Sequence, residues 1–321
     1  MSETQQSMNP SRHFDELPDA PPKRKIRLSW AGKLGIAVLV FWAIIVVIGP
    51  SISPYHEAEF LEESLFIVPG SDEKYPDTDF QPPSRIVLLG SDYMGRDTLS
   101  RILFGARTTI GISFIATILA YLIGVTLGIA AAVGYRFQYR GFTIIELDTV
   151  LSRLNDALLS IPSIMLGLVM IAALGSTIPL LIVLTGIIYA ASVFRIARSL
   201  GQEVMVSDFV EAARVRGEGL WWIITREILP NVAMPLATDF GLRFVWVILF
   251  ISALSFLGLG VQPPMSDWGS MVKENLPGLI YGSVAPLVPS LAIATLTISV
   301  NMIVDDISAQ TGGKLAKRMI S

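Results

Sequence analysis

Asp239 and Arg243 are the residues whose types and spacing most suggest chemistry, because two opposite charges stand four positions apart within a long apolar stretch. Charged side chains are costly in apolar surroundings, so such a pair is a functional candidate by default. Residues four apart also face each other on a helix and can neutralise one another. The sequence leaves two interpretations open: a stabilising ion pair, or part of a gate.

Familiar patterns for catalysis and metal binding do not occur elsewhere in the chain. Its 321 residues include no cysteine and two histidines, so disulfides and thiolate metal sites are excluded and a zinc site built only from protein ligands is not favoured. There is no GxxxxGK[ST] phosphate loop, no HExxH pair and no nucleophile elbow. The sequence therefore predicts neither an enzyme nor a cofactor or metal site, and any energy-driven work would draw on another chain.

The composition indicates a lipid environment. Hydrophobic residues make up 52% of the chain and charged residues 16%, with a mean hydropathy of +0.59, whereas soluble proteins carry about a quarter charged residues. Crossing the apolar core of a bilayer takes about 20 residues of helix. Six stretches satisfy that length: 30–48, 110–133, 157–174, 178–194, 231–261 and 284–304. We therefore predict an all-α membrane protein with six transmembrane helices.

Small residues predict close helix packing in the second stretch. Gly124 and Gly128 form a GxxxG step, and Ala132 extends it by one turn. Such stripes allow helix backbones to approach closely in lipid. The partner could be another helix of this chain or a second subunit.

Lysine and arginine cluster in residues 1–29, in the segment 196–230 and in residues 307–321, whereas residues 51–100 carry ten acidic and three basic side chains. Because basic residues flank spans on the cytoplasmic side, both termini and segment 196–230 are predicted to be cytoplasmic. The resulting organisation is a cytoplasmic tail 1–29, a first span 30–50, a periplasmic segment 51–107, a core 108–306 with five spans and the loop 196–230, and a cytoplasmic tail 307–321.

The predicted cytoplasmic loop has the pattern of two short helices joined by a tight turn. Asp208 and Glu211 suit a capping box, and Gly217 suits a left-handed residue after a helix end. A second helix is expected to begin near Leu220 and to end before Pro230, since a proline disfavours helix at the residue before it.

The same loop resembles the signature loop of membrane subunits of bacterial ATP-binding-cassette (ABC) importers. The matching pattern is Glu-Ala-Ala, three residues, Gly, nine residues, then two residues and Leu-Pro. The resemblance implies that the loop docks as a coupling helix into an ATPase subunit. The residues that carry it are Glu211, Ala212, Ala213, Arg214, Gly217, Leu229 and Pro230.

Three other stretches, 89–101, 105–107 and 253–269, are similar to segments of the dipeptide, oligopeptide and nickel permeases, and most similar to the C-type subunits of that family. In the first of them, we expect Ser91 or Asp92 to cap a helix and Asp97 to pair locally. The family implies a type I ABC importer permease in a bacterial inner membrane, working by alternating access on peptides or peptide-like molecules.

The implied partners are a second homologous permease, two ATP-binding ATPase subunits and a periplasmic substrate-binding protein, with membrane lipid around the spans and no nucleic acid. Two alternatives remain open from the sequence. The cargo could be a nickel chelate, an opine or an oligosaccharide, or the chain could be an ion-coupled secondary carrier that needs no ATPase.

Overall fold

The computed structural model describes residues 28–62, 78–134 and 144–320, with side chains described from 148 and up to 309 in the last of these ranges. Most of the predicted tail 1–29 and the acidic residues of 63–77 therefore lie outside the described residues. Within the described ranges the chain is helical and contains no β-strand, as the apolar blocks predict.

Ten α-helices are numbered α1 to α10 along the described chain. Their bounds are Trp30–Ile52, Thr98–Gly134, Ile144–Ser160, Ser163–Leu174, Ile178–Met205, Asp208–Val215, Leu220–Trp222, Leu229–Phe256, Trp268–Asn275 and Leu287–Ile320. A π-helical turn, Ile223–Ile228, joins α7 to α8, and a 3₁₀ turn, Leu276–Tyr281, follows α9.

Five helical stretches in the described residues are long and apolar enough to span a membrane: Trp30–Ile52, Thr98–Gly134, Ile178–Met205, Leu220–Phe256 and Leu287–Ala309. A sixth span exists only if α3 and α4, bent by 85°, count as one. The predicted stretch 157–174 is bent at Pro162, because the proline disfavours helix at Ile161 and α4 starts anew after it. By itself α4 has 12 residues, about 18 Å, short of the ~30 Å apolar core.

The predicted end of a short helix before Pro230 is wrong. Helix continues from Leu220 into α8, because the π-helical turn lets the Leu229 N–H bond to the Ile224 carbonyl and Pro230 falls in the first turn of α8, where its missing N–H costs little. At the other end α8 stops at Phe256, five residues before the predicted limit. Gly258, with φ +87°, turns the chain there.

The glycine stripe of α2 packs against α5 of the same chain. A Cβ at Gly124 would lie 2.6 Å from the Val193 Cβ, and one at Gly128 would lie 2.7 Å from the Phe194 carbonyl oxygen. One turn further, Ala132 faces Gly201. Of the two partners left open by the sequence, the stripe therefore meets a helix of its own chain.

Three buried apolar clusters hold the bundle together. One joins α1, α2, α8, α9 and α10, and a second joins α2, α4, α5 and α8. The third lies where α5, α6 and the start of 220–256 meet α2. We call this the loop end of the bundle, and the end formed by residues 78–97 and α9 the far end.

Candidate functional site

The N-terminus of α6 is capped by Ser207 and not, as predicted, by Asp208. The Ser207 carbonyl accepts the N–H groups of Val210 at 3.1 Å and Glu211 at 3.3 Å, and no side chain completes a capping box. The Glu211 carboxylate instead accepts a hydrogen bond from Arg214 Nη1 at 3.0 Å. Ser207 takes the cap because its backbone is extended, so Asp208 becomes the first helical residue. The two acids still favour this helix start, whose N-terminus carries partial positive charge.

Gly217 ends α6 in the predicted left-handed conformation, with φ +83°. Its N–H donates to the Arg214 carbonyl at 2.9 Å, and the N–H of Glu218 donates to the Ala213 carbonyl at 3.1 Å. This pair of hydrogen bonds is the Schellman arrangement, which satisfies carbonyls left open at a helix end. The turn sends the chain directly into α7.

The two alanines of the loop have different surroundings. Ala213 is completely buried and packs in the loop-end cluster with Val210, Ile223 and Ile228. Ala212 is exposed beside Glu211. The buried alanine lets α6 lie close against the helices beneath it, so only Ala212 offers a smooth surface to a partner.

Leu229 is partly buried against the loop-end cluster, and Pro230 is exposed in the first turn of α8. Two exposed apolar residues near them were missed from the sequence: Val215 is 82% exposed and Trp221 is 77% exposed. The signal available was the tryptophan pair at 221–222, which stands in a segment where basic residues cluster.

Asp239 and Arg243 form an ion pair on α8, with Arg243 Nε 3.3 Å from Asp239 Oδ1. A third residue joins them, because the Tyr121 hydroxyl of α2 donates a hydrogen bond to Asp239 Oδ2 at 2.5 Å. Both charged side chains are largely but not fully buried. Tyr121 lies in a stretch without charges, and only the contact between α2 and α8 reveals its role.

At the far end, the Gly90–Arg101 element forms a buried ionic network. Asp92 binds Arg96 Nε at 2.8 Å and Arg101 Nη1 at 2.6 Å, and Glu274 of α9 lies 2.9 Å from Arg101 Nη1. Asp97 accepts the Ser100 N–H at 2.8 Å and so caps α2. The expected roles of the two aspartates are therefore reversed: Asp97 caps, and Asp92 pairs.

Asp267 caps α9 by accepting the Ser270 N–H at 3.0 Å, and it also accepts the Thr109 hydroxyl at 2.9 Å. Its side chain is completely buried, and this burial raises the pKa of the carboxyl group above its ordinary value. Among the described residues, no three histidine, aspartate or glutamate side chains are grouped so that they could hold a metal ion.

Comparison with known proteins shows what the chain resembles. The family model described as "Binding-protein-dependent transport system inner membrane component" matches residues 124–309, more than half of the chain. A Brucella suis protein, provisionally named a peptide transport system permease protein, is 36% identical over 70% of this chain and 73% of its own length. The dipeptide transport system permease protein DppC of Alkalihalophilus pseudofirmus is 33% identical over 73% of this chain and 74% of its own. Among solved structures, the inward-facing MetNI methionine ABC transporter matches with a TM-score of 0.46 and 16% identity over 64% of this chain and 96% of its own.

Proposed function

Because this chain belongs to the family of inner membrane components of binding-protein-dependent transport systems, we propose that it is a permease subunit of an ATP-driven importer of short peptides. It is a transport subunit and not an enzyme. The observation that carries the proposal is the family match over residues 124–309, which contain the loop-end helices and the Asp239–Arg243 pair.

The loop that begins at Glu211 and ends at Gly217 docks onto a partner ATPase. Helix α6 exposes Glu211, Ala212 and Val215 while its opposite side is buried. Exposed apolar side chains framed by charges are typical of protein-binding surfaces. Trp221 extends this surface beyond the turn, and aromatic residues are frequent anchors of interfaces.

A displacement of α6 is transmitted to the membrane spans through the residues packed beneath it. Val210 and Ala213 are completely buried against the loop-end cluster, which includes residues of α2, α5 and 220–256. Close-packed interiors transmit displacement because they are hard to compress. ATP-driven movement of the ATPase therefore tilts α5 and α8 and alternates access to the cargo.

The remaining assembly follows from the same role. A second, homologous permease closes the path, two ATPase subunits bind at the loop end, and a periplasmic binding protein delivers cargo at the far end. The chain then crosses the inner membrane of a bacterium with segment 196–230 in the cytoplasm. Short peptides are the cargo favoured by the relatives, whose names refer to peptide and dipeptide transport.

Reconstitution tests this function. The chain is purified from native membranes, the proteins that accompany it are identified, and the complex is placed in vesicles with its binding protein. We expect two ATPases and a second permease to copurify, and labelled dipeptide to enter only with ATP and binding protein present.

Uptake driven by an ion gradient without ATP would show a secondary carrier instead. ATP-dependent uptake of a nickel chelate, an opine or an oligosaccharide, with no uptake of dipeptide, would keep the importer and reject peptide cargo. The matched control omits the binding protein, which removes delivery and leaves the membrane complex intact.

A further inference from the structure

Arg243 lies near the midpoint of α8, which the proposed function places across the membrane. Helix α8 runs from Leu229 to Phe256, so Arg243 is fourteen residues from its first residue and thirteen from its last. At about 1.5 Å per residue, roughly 20 Å of helix separates Arg243 from either end. A guanidinium at this depth is expensive unless it faces a partner or an aqueous cavity.

Only one nitrogen of the Arg243 guanidinium contacts Asp239. Its Nε lies 3.3 Å and 3.4 Å from the two Asp239 oxygens, and in the part of the chain that the structure describes Nη1 and Nη2 have no hydrogen-bond partner. Asp239 does not turn to engage these nitrogens, because the Tyr121 hydroxyl holds its Oδ2. Two parallel N–H groups of arginine match the two oxygens of a carboxylate.

An apolar groove lies beside the ion pair. It has a volume of about 340 Å³ and is lined by Ile118, Tyr121, Leu122, Val125, Thr126 and Phe240. Residues of both helices connect this groove to the ion pair. On α2, the Tyr121 ring lines the groove while its hydroxyl binds Asp239. On α8, Phe240 lines the groove and stands three residues before Arg243 on the same helix face. This volume is at the small end of ligand sites, which run from about 300 to 1,000 Å³.

We propose that the Nη1 and Nη2 groups of Arg243 bind the C-terminal carboxylate of a short peptide, while the groove receives the side chains of that peptide. The inference rests on the proposed function and names the group of the cargo that the permease itself recognises. Charge and length favour this occupant. The unpaired donors are cationic and the neighbouring wall is apolar. An extended dipeptide of about 7 Å is longer than the rise of about 4.5 Å along α8 from Phe240 to Arg243.

Photolabelling tests the proposal. A dipeptide with a diazirine side chain is delivered by the binding protein to the whole complex in vesicles, irradiated during ATP-driven uptake, and its adducts are mapped by mass spectrometry. We expect adducts between Ile118 and Thr126 and at Phe240. In Arg243→Gln the labelling should fall by about tenfold, the effect of losing a charge-assisted hydrogen bond.

Two further variants make the test selective. Arg243→Lys keeps the positive charge and should fold, but it lacks the two parallel N–H donors of arginine. The amount of labelling should therefore lie between that of the wild type and that of Arg243→Gln. Arg195→Gln removes an exposed arginine that lies 3.9 Å from Asp156, and its labelling should equal that of the wild type. Copurification of the ATPases shows in each case that the complex has assembled.

Dipeptide uptake without adducts in the groove would overturn the inference, as would equal labelling in the wild type and both Arg243 variants. Loss of the second permease from Arg243→Gln, with no groove adduct in the wild type, would show that Arg243 binds a carboxylate of that subunit. Absence of both uptake and adducts in the wild type would instead refute peptide cargo, which separates the two failures.

Discussion

Gly217 and Gly219 stand two residues apart in the loop and differ in backbone conformation. Gly217 has φ +83°, in the left-handed region, whereas Gly219 has φ −73° with an extended ψ. A Cβ at either position would meet no atom within 4 Å. Substitutions at the two sites therefore differ in backbone strain and not in crowding.

Gly217→Val should disturb coupling while leaving the fold in place. A β-branched residue at this φ costs about 1–2 kcal/mol, and the strain changes the angle between α6 and α7. We expect normal membrane insertion with ATP hydrolysis that no longer drives transport, or loss of the ATPases on purification. Gly219→Val is the matched control and should transport normally. Equal transport in both variants would contradict the coupling role of this turn.

Asp267 gives a prediction for pH. Its folded pKa is raised by burial, so the folded state holds a proton at pH values where the unfolded chain, with an ordinary pKa of about 3.9, has lost it. The stability linked to this group is therefore complete below the ordinary pKa and is lost as pH rises through the raised one. Asp267→Asn keeps an oxygen for the Ser270 N–H and buries no charge.

Asp267→Asn should consequently gain in thermal stability relative to the wild type as pH rises from about 4 to about 8. The measurement is the difference between the two thermal midpoints, taken in the same detergent. Asp267→Ala, which loses the cap, should be less stable than Asp267→Asn throughout. A difference that does not vary with pH would refute a raised pKa.

Single residues also show what the sequence could and could not predict. Gly217 was predictable because a glycine after a short amphipathic helix has a local reason to be left-handed. The Asp239–Arg243 pair was predictable from its i, i+4 spacing. Tyr121, 118 positions away, was not, because its hydrogen bond depends on how α2 packs against α8. The shift of the cap from Asp208 to Ser207 was equally hidden, since both residue types are good caps.

Among the helices, α2 and α5 depend on small residues for their contact. At Gly128 a Cβ would lie 2.8 Å from the Ala197 Cβ and 3.0 Å from the Arg198 nitrogen, whereas a Cβ at Gly111 of the same helix would meet nothing within 4 Å. The contact at Gly128 includes backbone atoms, which cannot rotate away. The two helices can accommodate a methyl group added at Gly128 only by moving apart.

Gly128→Ala should therefore destabilise the protein by about 1–3 kcal/mol, the usual cost of overpacking. Gly111→Ala should be neutral or stabilise it by up to about 1 kcal/mol, because alanine is the better helix former. Thermal unfolding in detergent measures both. A Gly128→Ala protein as stable as Gly111→Ala would show that α2 and α5 are not packed as closely as described.

The break between α3 and α4 was predictable from Pro162, but the 85° angle between the two helices was not. A proline marks where a helix bends or starts, whereas the angle depends on packing. Helix α3 is held by a charged contact, in which Arg198 Nε and Nη2 of α5 lie 2.6 Å and 2.8 Å from the Asp148 oxygens. Neither the direction of α3 nor this pairing across 50 positions follows from local sequence.

Across the whole molecule, the two ends of the bundle are stabilised by different interactions. The loop end is an apolar cluster beneath α6. The far end is the buried network of Asp92, Arg96, Arg101 and Glu274, which ties residues 91–101 to α9. Removing one partner from a buried ionic group leaves an uncompensated charge, which costs several kcal/mol. The far end is thus held by buried ion pairs, whereas α6 is attached to the bundle through close-packed apolar contacts.

The orientation of these two ends is the last prediction, and the absence of cysteine from the chain allows a clean test. Ile280 at the far end is 86% exposed, and Arg216 at the loop end is exposed. Because arginines gather at the loop end, the positive-inside rule places it in the cytoplasm. In intact spheroplasts, Ile280→Cys should react with a membrane-impermeant maleimide, whereas Arg216→Cys should react only after the membrane is opened. The cysteine-free chain is the control and should stay unlabelled. Reaction of Arg216→Cys alone would invert the topology, and reaction of both in intact spheroplasts would mean that α8 does not cross the membrane.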